Sequence, residues 1–469
     1  MKRKLLACVL ACTMVASLAG CGGSASQTAT ESKPAETTAA EQSQAAESTA
    51  PAEETTTEAA EAGALEVKSG ITLNVTTTFA GEESNVQNYQ DAVKRWEDKY
   101  GCSVADSSGS ADETFKSRVI SDFEAGAEPD VLFYFNGNDS NPFVEAGKVV
   151  TIDEIRSVYP DYASNMKDEM IPACPADNKK YAVPFYGYWE GMFVNKSVCE
   201  QAGAEIPGAD TTWEEFMEIC QKIKDAGFTP IAASLAKEPH YWFEFSIFNH
   251  DSAKTHLTVP EAVDDEAGKA WQAGLEDLKE LYEKGFLSEN TNTATADEVF
   301  QSFLEGKSAF YVDGSWKMGG IKEGTDNIDN FTVTYVPGNG DRKSTDMVAG
   351  LSSGWYISRK CWEDEKKRDV AVDLIETFIS DESVSKFAGT ATTALKNGVT
   401  IDESSLTSLE KDALAMLKGA TAVTGAAQDL LTQDERSPIF DNMPQIVEGQ
   451  TDITEAVQEV LDIVAENAE

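Results

Sequence analysis

The sequence predicts an α/β protein of two lobes, each a mostly parallel sheet flanked by helices. Three observations support this fold class. The chain has 469 residues, 41% of them hydrophobic, which is enough for about two or three domain cores. Patterns typical of strands and helices alternate from residue 71 to residue 135, as in a parallel sheet. Near the middle, a strand stops at Pro184, a break follows at Gly187, and a new strand starts at Met192, as expected where a chain passes between domains.

The N-terminus predicts an export segment over residues 1–20. Lys2, Arg3 and Lys4 precede an apolar run over residues 5–18, followed by small residues, which is typical of a signal peptide. The ending Leu-Ala-Gly-Cys resembles a bacterial lipobox, which implies that Cys21 is lipidated and holds the protein on the outer face of the cell membrane. The alternative is an ordinary signal peptide that happens to contain a cysteine. No later stretch approaches about 18 uninterrupted apolar residues, so we expect an anchored protein rather than one that spans the membrane.

Residues 21–67 predict a disordered tether. They consist mainly of Ala, Thr, Ser and Glu, with hardly any large apolar side chain. Such a segment cannot bury enough surface to offset its chain entropy. Its acidic side chains repel each other and extend it.

The net charge of -43 argues against some partners. A strongly acidic surface repels nucleic acid and anionic lipid, and it disfavours an anionic small ligand. We therefore expect no nucleic acid partner and a soluble, monomeric exported domain.

The cysteines do not form a recognisable framework. After Cys21 the chain has Cys102, Cys174, Cys199, Cys220 and Cys361, an odd number without CxxC spacing, so neither a disulfide scaffold nor a zinc site is expected. One bridge would be compatible with this count, and its pairing stays open. The three histidines show no metal-binding spacing, and no cofactor is expected.

The first lobe begins with a predicted strand at residues 71–75 and a polar loop that contains Glu83. Two amphipathic helices follow, and then an apolar strand near residues 131–135 leads into Asn136 and Asp139. Ligands of parallel α/β folds bind at the carboxyl ends of the strands, so these three polar residues are candidate ligand contacts.

The stretch over residues 180–196 joins the two predicted lobes. It carries Tyr186, Tyr188, Trp189 and Glu190, which offer flat faces and an acceptor suited to a polyhydroxylated ligand. The same residues would also suit a buried strand pair with an aromatic core. The runs KKYAVP at residues 179–184 and VNK at residues 194–196 resemble the first inter-lobe crossover of the extracellular solute-binding proteins of ABC importers, in the carbohydrate-binding group that includes maltose-binding proteins.

Further runs match this family in the same order. TWEE at residues 212–215 forms a helix capping box, and EPHYWF at residues 238–243 resembles the segment with which maltose-binding proteins line the cleft, although a plain buried helix start would also explain it. GKSAFYVDGSW at residues 306–316 resembles the run whose Trp stacks on a sugar ring; the alternative is a Trp that packs between helix and sheet. Residues 347–357 resemble the second crossover, and SDES at residues 380–383 resembles the third.

The resemblance implies a binding protein that closes two lobes around a carbohydrate and delivers it to the membrane subunits of an ABC importer, without chemistry on the ligand. The predicted lobes are residues 68–185 with 350–381, and residues 186–349 with 382–469. The predicted ligand contacts are Trp316, Trp242, Tyr188, Trp189, Asp313, Glu238, Tyr241, Tyr186, Asn136, Asp139, Gly350 and Glu83. Three alternatives stay open: a protein of the same fold for a non-sugar solute, an exported glycoside hydrolase with two carboxylates across the scissile bond, and a surface adhesin or structural lipoprotein.

Overall fold

The structure is a computed structural model that describes residues 65–81, 83–339, 342–401 and 403–468. The predicted export segment, Cys21 and nearly all of the predicted tether lie outside these residues. The strands are β1 (Thr72–Thr76), β2 (Ser103–Asp106), β3 (Val131–Phe135), β4 (Tyr188–Asn195), β5 (Thr229–Ala232), β6 (Ser308–Gly314), β7 (Phe331–Thr334), β8 (Asp346–Gly350), β9 (Ser353–Ile357) and β10 (Ala422–Thr424).

Helices connect and cover these strands. They are α1 (Val86–Tyr100), α2 (Glu113–Glu124), α3 (Asn141–Glu145), α4 (Ile152–Val158), α5 (Lys196–Ala202), α6 (Trp213–Asp225), α7 (His240–Asn249), α8 (Glu266–Glu283), α9 (Ala296–Leu304), α10 (Lys317–Glu323), α11 (Arg359–Glu363), α12 (Arg368–Phe378), α13 (Asp381–Phe387), α14 (Ser408–Gly419), α15 (Gln433–Phe440), α16 (Met443–Val447) and α17 (Ile453–Asn467). The predicted capping box is confirmed at the start of α6, where Thr212 and Glu215 bond reciprocally.

The first lobe contains a four-stranded sheet in the order β2-β1-β3-β9. Strand β1 runs parallel to β2 and β3, and the returning strand β9 is antiparallel to β3, with Phe133 opposite Trp355. Both residues are buried in one core with the inner faces of α1 and α12. Asn136, directly after β3, hydrogen-bonds to the segment between β8 and β9.

The second lobe contains a sheet in the order β10-β8-β4-β6-β5, with β7 also paired to β4. Strand β4 is antiparallel to β6, β7 and β8, while β5 with β6 and β10 with β8 are parallel pairs. This sheet is mixed, and three of the five strand pairings described for it are antiparallel, so it is not the mostly parallel sheet that the sequence predicts for this lobe. Two sheets flanked by helices confirm the predicted two-lobed α/β class.

Some residues late in the chain pack with the first lobe. Phe387 and Leu395 belong to the same core as Phe133 and Trp355, whereas α15, α16 and α17 supply residues to the core of the second lobe. The residue limits of the two lobes drawn from the sequence stay a prediction.

The first two crossings of the chain between the lobes lie in adjacent segments. Val183 pairs with Trp355 of the first sheet, and only a few residues later Tyr188 pairs with Gly350 of the second. The segments approach so closely at Gly187 that a Cβ there would lie 2.1 Å from the carbonyl oxygen of Gly350. Any side chain at residue 187 would clash with this carbonyl oxygen, so only glycine fits there.

The five cysteines of the described residues are buried and unbridged. None of the helices in the described part of the chain is both long and apolar enough to cross a bilayer. No group of His, Cys, Asp and Glu among these residues has a metal-binding arrangement.

Candidate functional site

A cavity of about 1050 Å³ lies between the two lobes. This volume is slightly above the usual range for ligand pockets, about 300–1,000 Å³. Its walls come from the loop before α1, the start of α2, the first crossover, the starts of α7 and α10, and the segment before α15. Both lobes therefore contribute side chains to one shared space.

The second-lobe wall carries three aromatic rings. The ring of Trp316, at the start of α10, lies 5.9 Å from that of Tyr188 and 6.0 Å from that of Tyr241. All three line the cavity. Asp313 is buried behind them and accepts hydrogen bonds from the Tyr311 hydroxyl and, at 2.7 Å, from the backbone N–H of Gly314.

The first-lobe wall is also aromatic. Tyr186 stacks on Phe133 with 6.3 Å between the ring centroids and packs against Phe387 at 6.1 Å. These three side chains line the cavity as well. A ligand between the lobes would therefore meet flat apolar faces on both sides.

Ten of the described residues that line the cavity are acidic. We call the four whose pKa is raised by burial the cavity carboxylates: Glu83, Glu190, Glu238 and Asp429. Burial raises the pKa of Glu83, Glu238 and Asp429 to about 7 in each case. Burial also raises the pKa of Glu190 far above its ordinary value, and the neighbouring carboxylates Glu244 and Asp313 add to this effect.

Asp429 is held in the cavity by a buried acidic side chain of α7. Glu244 accepts hydrogen bonds from the backbone N–H groups of Ala427 and Gln428, at 2.8 and 2.7 Å, and its Oε2 lies 3.0 Å from the imidazole Nε2 of His256. These bonds fix the turn that presents Asp429.

The model of the bacterial extracellular solute-binding proteins matches residues 91–398 of this chain, which is more than half of its length. The chain belongs to this family. It is therefore a binding protein rather than an enzyme, and the recognition made from the crossover runs is confirmed.

Curated relatives match over part of the chain. A multiple sugar-binding protein of Streptococcus mutans is 22% identical over 222 residues, which cover 45% of this chain and 50% of the relative. A probable sugar-binding periplasmic protein of Brucella melitensis is 24% identical over 250 residues, 49% of this chain and 52% of the relative. The solute-binding protein described here thus spans about half the length of the curated relatives it matches.

Solved structures share the fold. A chitin oligosaccharide binding protein superimposes with a TM-score of 0.73 at 20% identity, covering 85% of this chain and 99% of that one. The maltose/maltodextrin-binding domain of Bdellovibrio bacteriovorus, bound to maltotriose, gives 0.64 at 16% identity, covering 85% and 99%. At these identities the likeness establishes the two-lobed fold of the solute-binding protein.

The structure brings half of the predicted contacts together. Glu83, Tyr186, Tyr188, Glu238, Tyr241 and Trp316 line the cavity.

The other six predicted contacts lie behind the wall or away from it. Trp189 is fully buried, and its Nε1 donates to Thr390 Oγ1 at 3.0 Å. Trp242 is buried in the core of the second lobe. Asp313 lies behind the aromatic rings, Asn136 bonds to the Leu351 carbonyl at 3.3 Å, and Gly350 lies beneath the ring of Tyr188. Asp139 takes part in an ion-pair network between the lobes.

Several lining residues were missed by the sequence analysis. Asp429 and Lys116 have no motif around them that would mark them as contacts, whereas His240 lies inside the EPHYWF run without having been included among the contacts. Glu190 did carry a signal, because it is a charged residue inside the apolar strand β4, and it was noted as an acceptor without being included among the contacts.

The lobes touch each other around the cavity. Arg436 of α15 bonds through Nη2 to Glu113 Oε2 at 2.8 Å and to Asp139 Oδ1 at 3.0 Å, and Lys116 Nζ lies 2.9 Å from Asp139 Oδ2. Elsewhere the backbone N–H of Ser84 donates to the Trp316 carbonyl at 3.0 Å. The solute-binding protein is thus described with its lobes in contact.

Proposed function

We propose that this protein binds a carbohydrate between its two lobes and presents it to the membrane subunits of an ABC importer. The observation that carries the proposal is the shared cavity, which has aromatic rings on both walls and carboxylates between them. Sugars present apolar C–H faces and rings of hydroxyl groups, so they need flat surfaces and strong acceptors in the same site. The curated relatives that are named sugar-binding proteins support this ligand class.

The energetics fit a reversible receptor. A hydrogen bond to a charged group contributes about 1.5–3 kcal/mol. A few such bonds together with stacking on Trp316 and Tyr186 reach the roughly -8 kcal/mol of micromolar affinity after ordering costs. The cavity volume of about 1050 Å³ leaves room for an oligosaccharide.

Closure of the lobes is the proposed mechanism. Ligand contacts on both walls stabilise the form in which the lobes meet, so binding shifts the population toward it. Tyr188 and Gly350 lie on the paired strands where the chain crosses, so a ligand that contacts Tyr188 would lie next to the proposed hinge. The importer would then recognise the closed form.

The proposed location is the outer face of the cell membrane, with Cys21 lipidated and residues 22–67 acting as a tether. The lipobox-like ending supports this assignment. Expression with the native leader should place the protein in the membrane fraction, and Cys21→Ser should release it to the soluble exported fraction. If the wild type and Cys21→Ser appear in the same fraction, the proposed lipid anchor at Cys21 is wrong.

Thermal melting with a ligand panel tests the proposed ligand class. A ligand at 100 times its dissociation constant adds about 2.7 kcal/mol to the stability of the folded state. We expect a clear rise in Tm with at least one mono- or oligosaccharide. A rise with peptides or other non-sugar solutes, and with no carbohydrate, would replace the proposal by the same-fold alternative.

A further inference from the structure

The environment of Glu190 is unusual for a ligand-facing acid. Its side chain lines the cavity and is 3% exposed. Its Oε2 is buried without a hydrogen-bond partner among the described residues. Buried polar atoms are normally paired, and an unpaired one indicates a missing partner. The cavity is where such a partner can enter.

The charges that act most strongly on Glu190 are all negative. They come from Glu244, Asp313 and Asp429. The carboxylate of Glu244 is fully engaged by His256 and two backbone N–H groups, and that of Asp313 by the Tyr311 hydroxyl and the Gly314 N–H. None of these neighbours supplies a positive charge to Glu190.

No cation is among the charges that act on Glu190. Lys116 is paired with Asp139 at 2.9 Å and Glu113 at 3.2 Å. Lys317 acts on Glu83, Glu238 and Asp313. Lys116 and Arg436 also act on Asp429 and oppose the rise of its pKa. Glu190 is therefore the one cavity carboxylate on which no cation of the described residues acts.

We propose that Glu190, together with Asp429, forms a subsite for a protonated amino group of the ligand, so that the bound carbohydrate is an amino sugar with a free amine. An ammonium group offers donors and a positive charge to an unpaired carboxylate, and such charge-assisted bonds are the strong ones. The aromatic walls favour a sugar ring over a linear polyamine, which has no face to stack. This inference rests on the proposed carbohydrate function and specifies its ligand class.

Titration calorimetry with matched sugar pairs tests the subsite. The probes are glucosamine against glucose, galactosamine against galactose, and the β-1,4-linked glucosamine disaccharide against cellobiose, with spermidine as a sugar-free amine. We expect at least one amine to bind ten times more tightly than its neutral partner. Because a buried neutral acid must ionise to hold the ammonium, binding should release a proton, seen as a heat that depends on the buffer.

Two variants locate the effect. Glu190→Gln keeps the shape and removes the charge, so it should abolish the amine preference and the proton release, and Asp429→Asn should weaken both. Glu276→Gln, an exposed change on α8 with the same effect on net charge, should keep both. Melting curves show whether the variants are folded; if Glu190→Gln is not, the Asp429→Asn result decides.

The outcomes separate the inference from the function it rests on. If neutral sugars bind as tightly as their amines, or if the preference survives in the folded variants, the subsite is wrong and carbohydrate binding stands. If spermidine binds and no sugar does, the proposed function itself fails.

Discussion

Replacing Arg436 by Met should weaken ligand binding by releasing the lobes from each other. The guanidinium is 2% exposed and joins the second lobe to Glu113 and Asp139 of the first. Breaking a buried pair by removing one partner costs about 3–5 kcal/mol. Lys116 still neutralises Asp139 in the variant, so we expect the loss of Arg436 to cost about 2–3 kcal/mol, less than the full cost of a broken buried pair. If the free protein is open, this cost falls on the closed form alone, and the dissociation constant should rise roughly 30- to 150-fold.

The assay is calorimetric titration with a sugar found in the melting panel, accompanied by X-ray scattering of the liganded protein. Arg359→Met is the matched control, because Arg359 forms a bidentate pair with Glu154, at 2.6 and 2.9 Å, within the first lobe. This partly exposed pair contributes at most about 1 kcal/mol and does not connect the lobes. If Arg436→Met lowers Tm while affinity stays within threefold of the wild type, the network stabilises the fold and not the closure.

Three further predictions concern the aromatic wall, the crossover and pH. Trp316→Ala should raise the dissociation constant at least about 30-fold, since truncated ligand anchors typically cost 2 kcal/mol or more, whereas Trp242→Ala should lower the free energy of unfolding by about 3–5 kcal/mol. Gly187→Ala should destabilise the protein by about 1–3 kcal/mol or more because its Cβ overlaps a carbonyl oxygen, while Gly208→Ala, which meets nothing within 4 Å, should be nearly neutral. The ligand-free protein should melt several degrees higher at pH 5.5 than at pH 8. The three cavity carboxylates with a pKa of about 7 hold protons in the folded state that the unfolded chain releases, so each adds about 1–2 kcal/mol at pH 5.5 that is lost as the pH rises through 7. His240, whose pKa burial lowers to about 3, opposes this by about 1 kcal/mol.

The measurements are ligand titration for the aromatic variants, urea unfolding for the core and glycine variants, and thermal melting at the two pH values. Equal affinity of Trp316→Ala and wild type would remove that ring from the site. If Gly187→Ala is as stable as Gly208→Ala, the two crossover segments can move apart to admit a Cβ without a loss of unfolding free energy, and the steric argument is wrong. A Tm that falls between pH 8 and pH 5.5 would contradict the raised pKa values.

The sequence was informative where short motifs sit at strand ends. Tyr188, Tyr241 and Trp316 belong to such runs and lie in the cavity. The alternation of side chains along a strand separates the neighbouring residues of β4. Tyr188 and Glu190 share the face of β4 that lines the cavity. Trp189 lies on the opposite face, where it donates a hydrogen bond to Thr390.

Other parts of the site could not be predicted locally. In α7 every residue from Tyr241 to Asn249 is buried, so hydrophobic periodicity could not separate Tyr241, which lines the cavity, from Trp242, which does not. Asp429 reaches the cavity only because the end of the chain folds back and Glu244 holds its turn. Such an arrangement depends on long-range packing and leaves no short pattern in the sequence.

The state of the cysteines makes this protein convenient to label. Each of the five described thiols is buried, and burial raises the pKa of Cys174, Cys199, Cys220 and Cys361, which leaves little of the reactive thiolate. A form that begins after Cys21 and carries Lys322→Cys would add one accessible thiol to these five buried ones, on the exposed end of α10 at the cavity edge. A fluorophore there would turn each closure of the lobes into an optical signal.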